Sequence, residues 1–236
     1  GAGMLLTKAV EAGTLDLIKR FMSDDKFKDF NLVGGTALAI QIGHRLSIDI
    51  DLFTTTPFNA FELSHHLMRN YDAQEVRTLT NGVFCFVNDI KIDLISHQYP
   101  LVDKIDILDE IRMVSLLDIG AMKLNAVYNS GKRLKDFVDM YSLLEKYSLN
   151  QLLDSCQRKY SDLNINIVKN SLMHHADIIF SPIEFMGAEV KWPIIAERLK
   201  NAFHNPNTTF DLPENSRKIM EKDKTNKKGN SNRPKR

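Results

Sequence analysis

Asp49 and Asp51 stand one residue apart in the run Ser47-Ile-Asp-Ile-Asp-Leu-Phe53. Ile48, Ile50 and Leu52 alternate with them, and strict alternation is the period of a β-strand. The spacing predicts a strand over 47–53 with both carboxylates on one face. Like charges that close repel, so a fold that keeps such a pair needs something to offset the repulsion, and divalent cations are the usual agent. Magnesium takes hard oxygen ligands and is commonly held by carboxylates together with substrate phosphates. Asp93 alternates in the same way within a second predicted strand, 90–95, on a face shared with Lys91. If the two strands are neighbours, three carboxylates converge. Three carboxylates can hold two metals, which stabilise the attacking and leaving oxygens of an in-line displacement at phosphorus.

Gly34-Gly35 complements the carboxylates. The apolar run 30–33 predicts a short strand ending in a tight turn. Thr36 is then the expected N-cap of a helix over 37–42, and Gly43 its stop. Without a Cβ, the glycine backbone lets N–H groups approach a phosphate closely. The helix N-terminus adds partial positive charge, and the Thr36 hydroxyl adds a hydrogen bond. Taken singly, Gly-Gly before a helix is most often a tight turn, and Asp-x-Asp a solvated sheet face. Gly-Gly, thirteen residues, Asp-Ile-Asp-Leu and a later Ile-Asp-Leu form a far more demanding pattern.

Other elements must position these residues. An amphipathic helix is predicted over 5–21, with Leu6, Val10, Leu17, Ile18 and Phe21 on one stripe and Gly13 weakening it. A helix over 59–69 follows Pro57. Strands over 75–79 and 83–87 are joined by the hairpin signal Asn81-Gly82, and Asn88-Asp89 turns the chain into 90–95. After Pro100 the pattern becomes helical, over 116–128, 134–147, 150–160, 165–175 and 191–203, with Pro193 near the start of the last. No internal repeat is present. The expected class is α+β: a small mixed sheet with flanking helices over 4–100, a helical half over 101–213 completing a cleft, and a basic flexible tail over 214–236.

The bulk numbers suit a folded, water-exposed chain: of 236 residues, 26% are charged and 43% hydrophobic, with net charge +1. The charge is uneven. From Asn215 onward nine basic residues face two acidic ones, Glu221 and Asp223. Contact with a polyanion and a merely solvated end are equally good readings of that tail. Cys85 and Cys156, in no CxxC pattern, exclude a disulfide framework and a zinc finger. No apolar run has membrane-spanning length and no signal peptide opens the chain, so the expected compartment is the cytoplasm and no membrane partner is expected. Gly1-Ala2-Gly3 before Met4 reads as a cloning remnant.

Lys123 is flanked at helical spacing by Ile119, Gly120, Ala126 and Val127, so it faces inward or into a cleft, where it needs an anionic partner. A bound triphosphate is one such partner; a lysine snorkelling from a core edge is the other reading. Asp136 has mostly polar helical neighbours, Lys132, Arg133 and Asp139, which by themselves indicate a surface face with weak ion pairs. Arg45 and Ser47 could meet nucleotide or phosphate, and structural hydrogen bonding is an equal reading for each. His65-His66 and His174-His175 diverge on a helix and are not read as metal sites. Trp192 and the phenylalanines are read as core.

The run 32–53, Leu-Val-Gly-Gly-Thr-Ala-Leu-Ala-Ile-Gln-Ile-Gly-His-Arg-Leu-Ser-Ile-Asp-Ile-Asp-Leu-Phe, resembles the AbiEii/AbiGii toxin family of the DNA polymerase β-like nucleotidyltransferase superfamily. The resemblance extends into 116–144, where Lys123 and Lys135-Asp136-Phe137 with Asp139 look like the family's C-terminal motifs. It implies a mixed-sheet nucleotidyltransferase core, catalytic and metal-binding roles for Asp49, Asp51 and Asp93, and nucleotide binding by Gly34, Gly35, Thr36, Lys123 and Asp136. The expected reaction is transfer of a nucleoside monophosphate from an NTP to an acceptor hydroxyl, with two Mg2+ ions. The resemblance further implies the toxin half of a toxin–antitoxin or phage-defence pair, with RNA such as tRNA as acceptor and a cognate antitoxin as partner. The alternatives are modification of a protein hydroxyl, a kinase on the same fold, and a non-catalytic nucleotide-binding module.

Overall fold

The computed structural model describes residues 7–210. Leu5, Leu6, the three residues before Met4 and the basic tail over 214–236 lie outside the described residues. A short helical turn at Thr7–Ala9 precedes α1 (Ala12–Ser23), which buries Leu17, Ile18 and Phe21. Gly13 therefore falls in the first turn of α1, not inside a longer helix. Then follow β1 (Asn31–Val33), α2 (Gly34–Ile42), β2 (Ile50–Thr54) and α3 (Ala60–Tyr71). The Asn59 side chain caps α3 by accepting from the Glu62 N–H at 3.0 Å. A meander of β3 (Gln74–Leu79), β4 (Gly82–Val87) and β5 (Ile90–Ser96) comes next, with Asn81 at φ 58° in the first turn.

One seven-stranded mixed sheet organises the molecule. It includes two strands that sequence patterning does not show, β6 (Asp106–Leu108) and β7 (Ile111–Met113), in the order β3-β4-β5-β2-β1-β7-β6. These strands are three residues each, and their turn uses Asp109 and Glu110 with positive φ in place of an Asn-Gly signal. β7 pairs in parallel with β1, so the sheet draws on residues from both sides of position 100. β2 and β5 are parallel neighbours, with Ile50 opposite Ile92, Asp51 opposite Asp93 and Leu52 opposite Leu94. That register carries one buried apolar face through Ile50, Leu52, Ile92, Leu94, Val83 and Cys85. On the opposite face Arg77, Phe84, Asp93 and Asp51 form a row across four strands.

The predicted strand over 47–53 is corrected at its start. Ordered pairing begins at Ile50; Ser47 makes only an isolated bridge to Val10, and Ile48 is 54% exposed. The reason is the shortness of β1. Its residue Val33 pairs with Asp51 and the chain then turns into α2 at Gly34, so 47–49 have no partner on the β1 side, and the pairing with β5 also starts only at Ile50. Asp49 sits just before the strand. Thr36 is likewise not an N-cap. Val33 holds that position, and Thr36 is buried inside the first turn of α2. Gly43 ends α2 in a left-handed conformation, φ 62°, as expected.

The remaining chain is helical: α4 (Leu116–Asn129), α5 (Leu134–Leu143), α6 (Leu149–Lys159), α7 (Ile165–Ser171) and α8 (Trp192–His204). α7 stops short of the His174-His175 pair. α4 is the hub, packing on α2, α5, α6 and α7. A buried charge pair fixes its first turn. Lys159 at the end of α6 donates to Asp118 Oδ1 at 2.9 Å and to the Pro100 carbonyl at 3.0 Å, while Ser115 and the Val102 N–H also bind the Asp118 carboxylate. Removing one partner of such a pair leaves a charge stranded in the interior. Lys159→Met is therefore expected to lower unfolding stability by roughly 3–5 kcal/mol, read by chemical denaturation, with a loss below 1 kcal/mol contradicting the assignment.

Candidate active site

The floor of the site follows from the register of β2 and β5. Side chains alternate along both strands, so pairing Asp51 with Asp93 places both carboxylates on the face opposite the core. Gly34 lies beside them because Val33 is the partner of Asp51 on β1. Its φ is +71°, and a Cβ at this position would stand 2.6 Å from Asp51 Oδ2, so only glycine fits. A Cβ on Gly35 would run into the Arg45 guanidinium. The N-terminus of α2 thus opens directly onto the Asp51 carboxylate.

This floor is electrostatically loaded. Burial, with repulsion from Asp93 and Asp49, pushes the Asp51 carboxyl up to about 6, against the pull of Lys123. Burial raises the Asp93 carboxyl too; Lys91, Arg77 and Arg133 oppose the rise and Asp49 reinforces it. Lys91 Nζ stands 3.8 Å from Asp93 Oδ2, whereas the buried Asp93 Oδ1 has no hydrogen-bond partner among the described residues.

The wall opposite is a buried charge cluster. Lys123 of α4 donates to Asp136 Oδ1 at 3.0 Å and lies 2.8 Å from Asp139 Oδ2, both on α5. Arg45 grips Asp139 bidentately, Nε to Oδ1 at 2.7 Å and Nη2 to Oδ2 at 2.9 Å. His44 Nε2 meets the same Oδ1 at 2.6 Å. Burial alone would raise the Asp139 carboxyl, but Lys123 and Arg45 hold it well below the usual carboxylate range. Asp139 and Asp136 in turn raise the Lys123 ammonium against its own burial. Lys123 therefore neither snorkels nor stands alone: two of its three N–H donors are engaged by carboxylates.

A cleft of about 270 Å³ lies between floor and wall, lined by Gly34, Gly35, Asp51, Asp93, Lys123 and Asp136 together with Arg133. Six of the eight residues singled out from sequence meet there. Asp49 and Thr36 are not in the lining. The Thr36 hydroxyl is buried against Ser47 Oγ at 2.7 Å and the Asp49 carbonyl oxygen, where it shapes the loop that carries Asp49. Ser47 and Arg45 likewise serve structural bonds. Asp136 is buried, not on the surface that its neighbours suggest. Among the described residues, no three Asp, Glu, His or Cys side chains are gathered into a ready cation cage. Sequence reading missed Phe53, His97, Asn125 and Tyr160, which also line the cleft. Phe53 and Ile95 could have been found by counting two residues on from Asp51 and Asp93.

Residues 16–207 match the family described as Nucleotidyl transferase AbiEii toxin, Type IV TA system. The chain belongs to this family. An uncharacterized protein of Aquifex aeolicus is 30% identical over 172 residues, which is 69% of this chain and 83% of the relative. Among solved structures, MenT4, a nucleotidyltransferase toxin from Mycobacterium tuberculosis, is 13% identical and matches over 88% of each chain with a TM-score of 0.55, a likeness of fold. The Megavirus polyadenylate synthase is 23% identical with a TM-score of 0.41; the match covers 56% of this chain and spans 30% of the synthase. As an AbiEii family member the protein is an NTP-using nucleotidyltransferase. No helix among the described residues is long and apolar enough to cross a membrane.

The raised Asp51 carboxyl has a consequence for the stability of the AbiEii fold. A folded value above the ordinary one means that the unfolded chain gives up this proton first, so stability falls as pH rises from about 4 to about 6. Asp51→Asn is expected to remove that slope and, without metal at pH 7, to stabilise the protein by about 1–3 kcal/mol. Thermal melts across this pH range check it; an equal or lower Tm for the variant at pH 7 contradicts the electrostatic reading.

Proposed function

We propose that the protein transfers a nucleoside monophosphate from an NTP to an acceptor hydroxyl, using magnesium held by Asp51 and Asp93 with help from Asp49. The observation that carries this reading is the pairing of Asp51 with Asp93 on adjacent parallel strands beside Gly34 at the head of α2. The donor set fits a hard divalent cation: carboxylate oxygens only, mutually repelling, one of them a buried orphan. Magnesium needs only one or two protein carboxylates when substrate phosphates and water complete its shell, so the reading does not require a closed cage of ligands among the described residues. When bound, two such ions would neutralise the triphosphate and favour the acceptor alkoxide.

The chain's own groups account for the rest. The Gly34 and Gly35 N–H groups and the positive end of α2 receive phosphate oxygens. The third N–H of Lys123 is directed to the triphosphate while Asp136 and Asp139 hold its other two. Asp93, whose Oδ1 has no hydrogen-bond partner among the described residues, helps to orient or deprotonate the acceptor hydroxyl. The acceptor oxygen bonds to the α-phosphorus, the α–β bridging bond breaks, and pyrophosphate leaves. Positioning and charge complementarity supply the rate.

On this reading the acceptor is RNA, with the tRNA acceptor end a candidate. Support comes from Arg133, which lines the cleft, and from Arg77 and Lys91, whose charges also act on Asp93. The biological role is that of a cytoplasmic toxin with a cognate antitoxin, in toxin–antitoxin or phage-defence function, and rests on the family membership.

Asp93→Asn is expected to cut transfer of label from α-labelled NTP to RNA by at least 100-fold. Gly34→Ala, by driving a methyl into Asp51, should lower kcat by at least tenfold while the protein stays folded. Label moving from the γ position instead of the α position would make the enzyme a kinase, and undiminished transfer by Asp93→Asn would remove the carboxylate from the mechanism.

A further inference from the structure

The cleft has two chemically different ends. Along β2 and β5, Asp51 is followed on the same face by Phe53, and Asp93 by Ile95 and then His97. Each two-residue step advances about 7 Å. Ile119, Met122, Asn125 and Ala126 of α4 face this stretch, and Tyr160, just past α6, closes it. Phe53 and His97 have ring centroids 5.3 Å apart, and His97 and Tyr160 5.6 Å apart. His97 Nε2 and the Tyr160 hydroxyl are hydrogen bonded at 2.7 Å, and Asn125 lines the same stretch of the cleft. Asn125 Oδ1 accepts from Asn129, which fixes the orientation of its amide.

No charged side chain lines this end of the cleft. Burial, aided by Lys159, pushes the His97 imidazole down to about 4, so it is neutral at physiological pH. The charged groups lining the cleft, Asp51, Asp93, Lys123, Arg133 and Asp136, all belong to the opposite end. A triphosphate has nothing to gain at the aromatic end, whereas a flat heterocycle with a polar edge finds apolar walls and a few fixed hydrogen-bonding groups. The asymmetry also fixes which way a nucleotide enters.

We propose that the uncharged end is a nucleobase pocket in which the base lies against Phe53, Met122 and the ring of Tyr160, while Asn125 and the Tyr160 hydroxyl read its edge and set the choice of NTP. The proposal rests on the transfer reaction above, which puts the triphosphate at the other end.

The test titrates each of the four NTPs and inorganic tripolyphosphate, all with magnesium, into wild type, Asn125→Ala and Tyr160→Phe, and measures KM and kcat for the same NTPs. Asn125→Ala is expected to weaken the preferred NTP about tenfold, to flatten the ranking among the four, and to leave tripolyphosphate binding and kcat unchanged. Tyr160→Phe should keep the ring contact and alter the ranking alone. An unchanged ranking in both variants overturns the pocket, as does an equal loss of tripolyphosphate affinity, which would mark general damage to the fold. Wild type that binds NTPs no better than tripolyphosphate overturns the pocket and leaves the transfer reaction standing. Wild type that binds neither overturns both.

Discussion

The geometry of the site depends on one buried carboxylate. Asp139 sits in the interior of α5 and is satisfied by Arg45, Lys123 and His44, which come from the loop after α2, from α4 and from the same loop. A charge in that position is tolerable only if every lone pair is used. The loop over 43–49 and helices α4 and α5 must therefore stay together, and with them the strand that begins at Ile50. Arg45 in its turn is what forbids a side chain at position 35. The glycine pair, the aspartate loop and the lysine wall are thus consequences of one electrostatic arrangement, and the cleft is the space it leaves.

The floor is built on the opposite logic. Asp51 and Asp93 are held side by side by a backbone register that the buried residues Ile50, Leu52, Ile92 and Leu94 enforce. A one-residue slip would send all four apolar side chains to the wrong face, so the hydrophobic core keeps two repelling carboxylates in place. Stability is given up at the point where the proposed cation and triphosphate would bind, a common trade at functional sites.

Much of this was legible in the amino-acid sequence. Alternation placed Asp51 and Asp93 on the correct face, and apolar neighbours three and four residues away turned Lys123 inward. The failures have physical causes. The alternation over 47–50 mimics a strand, but a strand needs a partner, and β1 ends at Val33. Asp136 looked exposed because its helical neighbours Lys132 and Arg133 are charged and exposed; its buried partner, Lys123, comes from α4, and pairing across helices leaves no periodic trace. The strands β6 and β7 are too short for any period, and their turn residues, Asp109 and Glu110, carry no distinctive signal. Phe53, His97 and Tyr160 are aromatic residues far apart in the chain, brought together only by the tertiary fold.

The position of β1 has a further bearing on how such a toxin is made. β1 lies between β2 and β7, so it gains its second neighbour only after residue Met113 has been delivered. Lys123 and Asp139 come later still. A ribosome-bound chain that already displays Asp49, Asp51 and Asp93 has an open sheet edge and no wall to its cleft. The order of translation therefore leaves the cleft unwalled until α4 and α5 have emerged and Lys123 can meet Asp136 and Asp139.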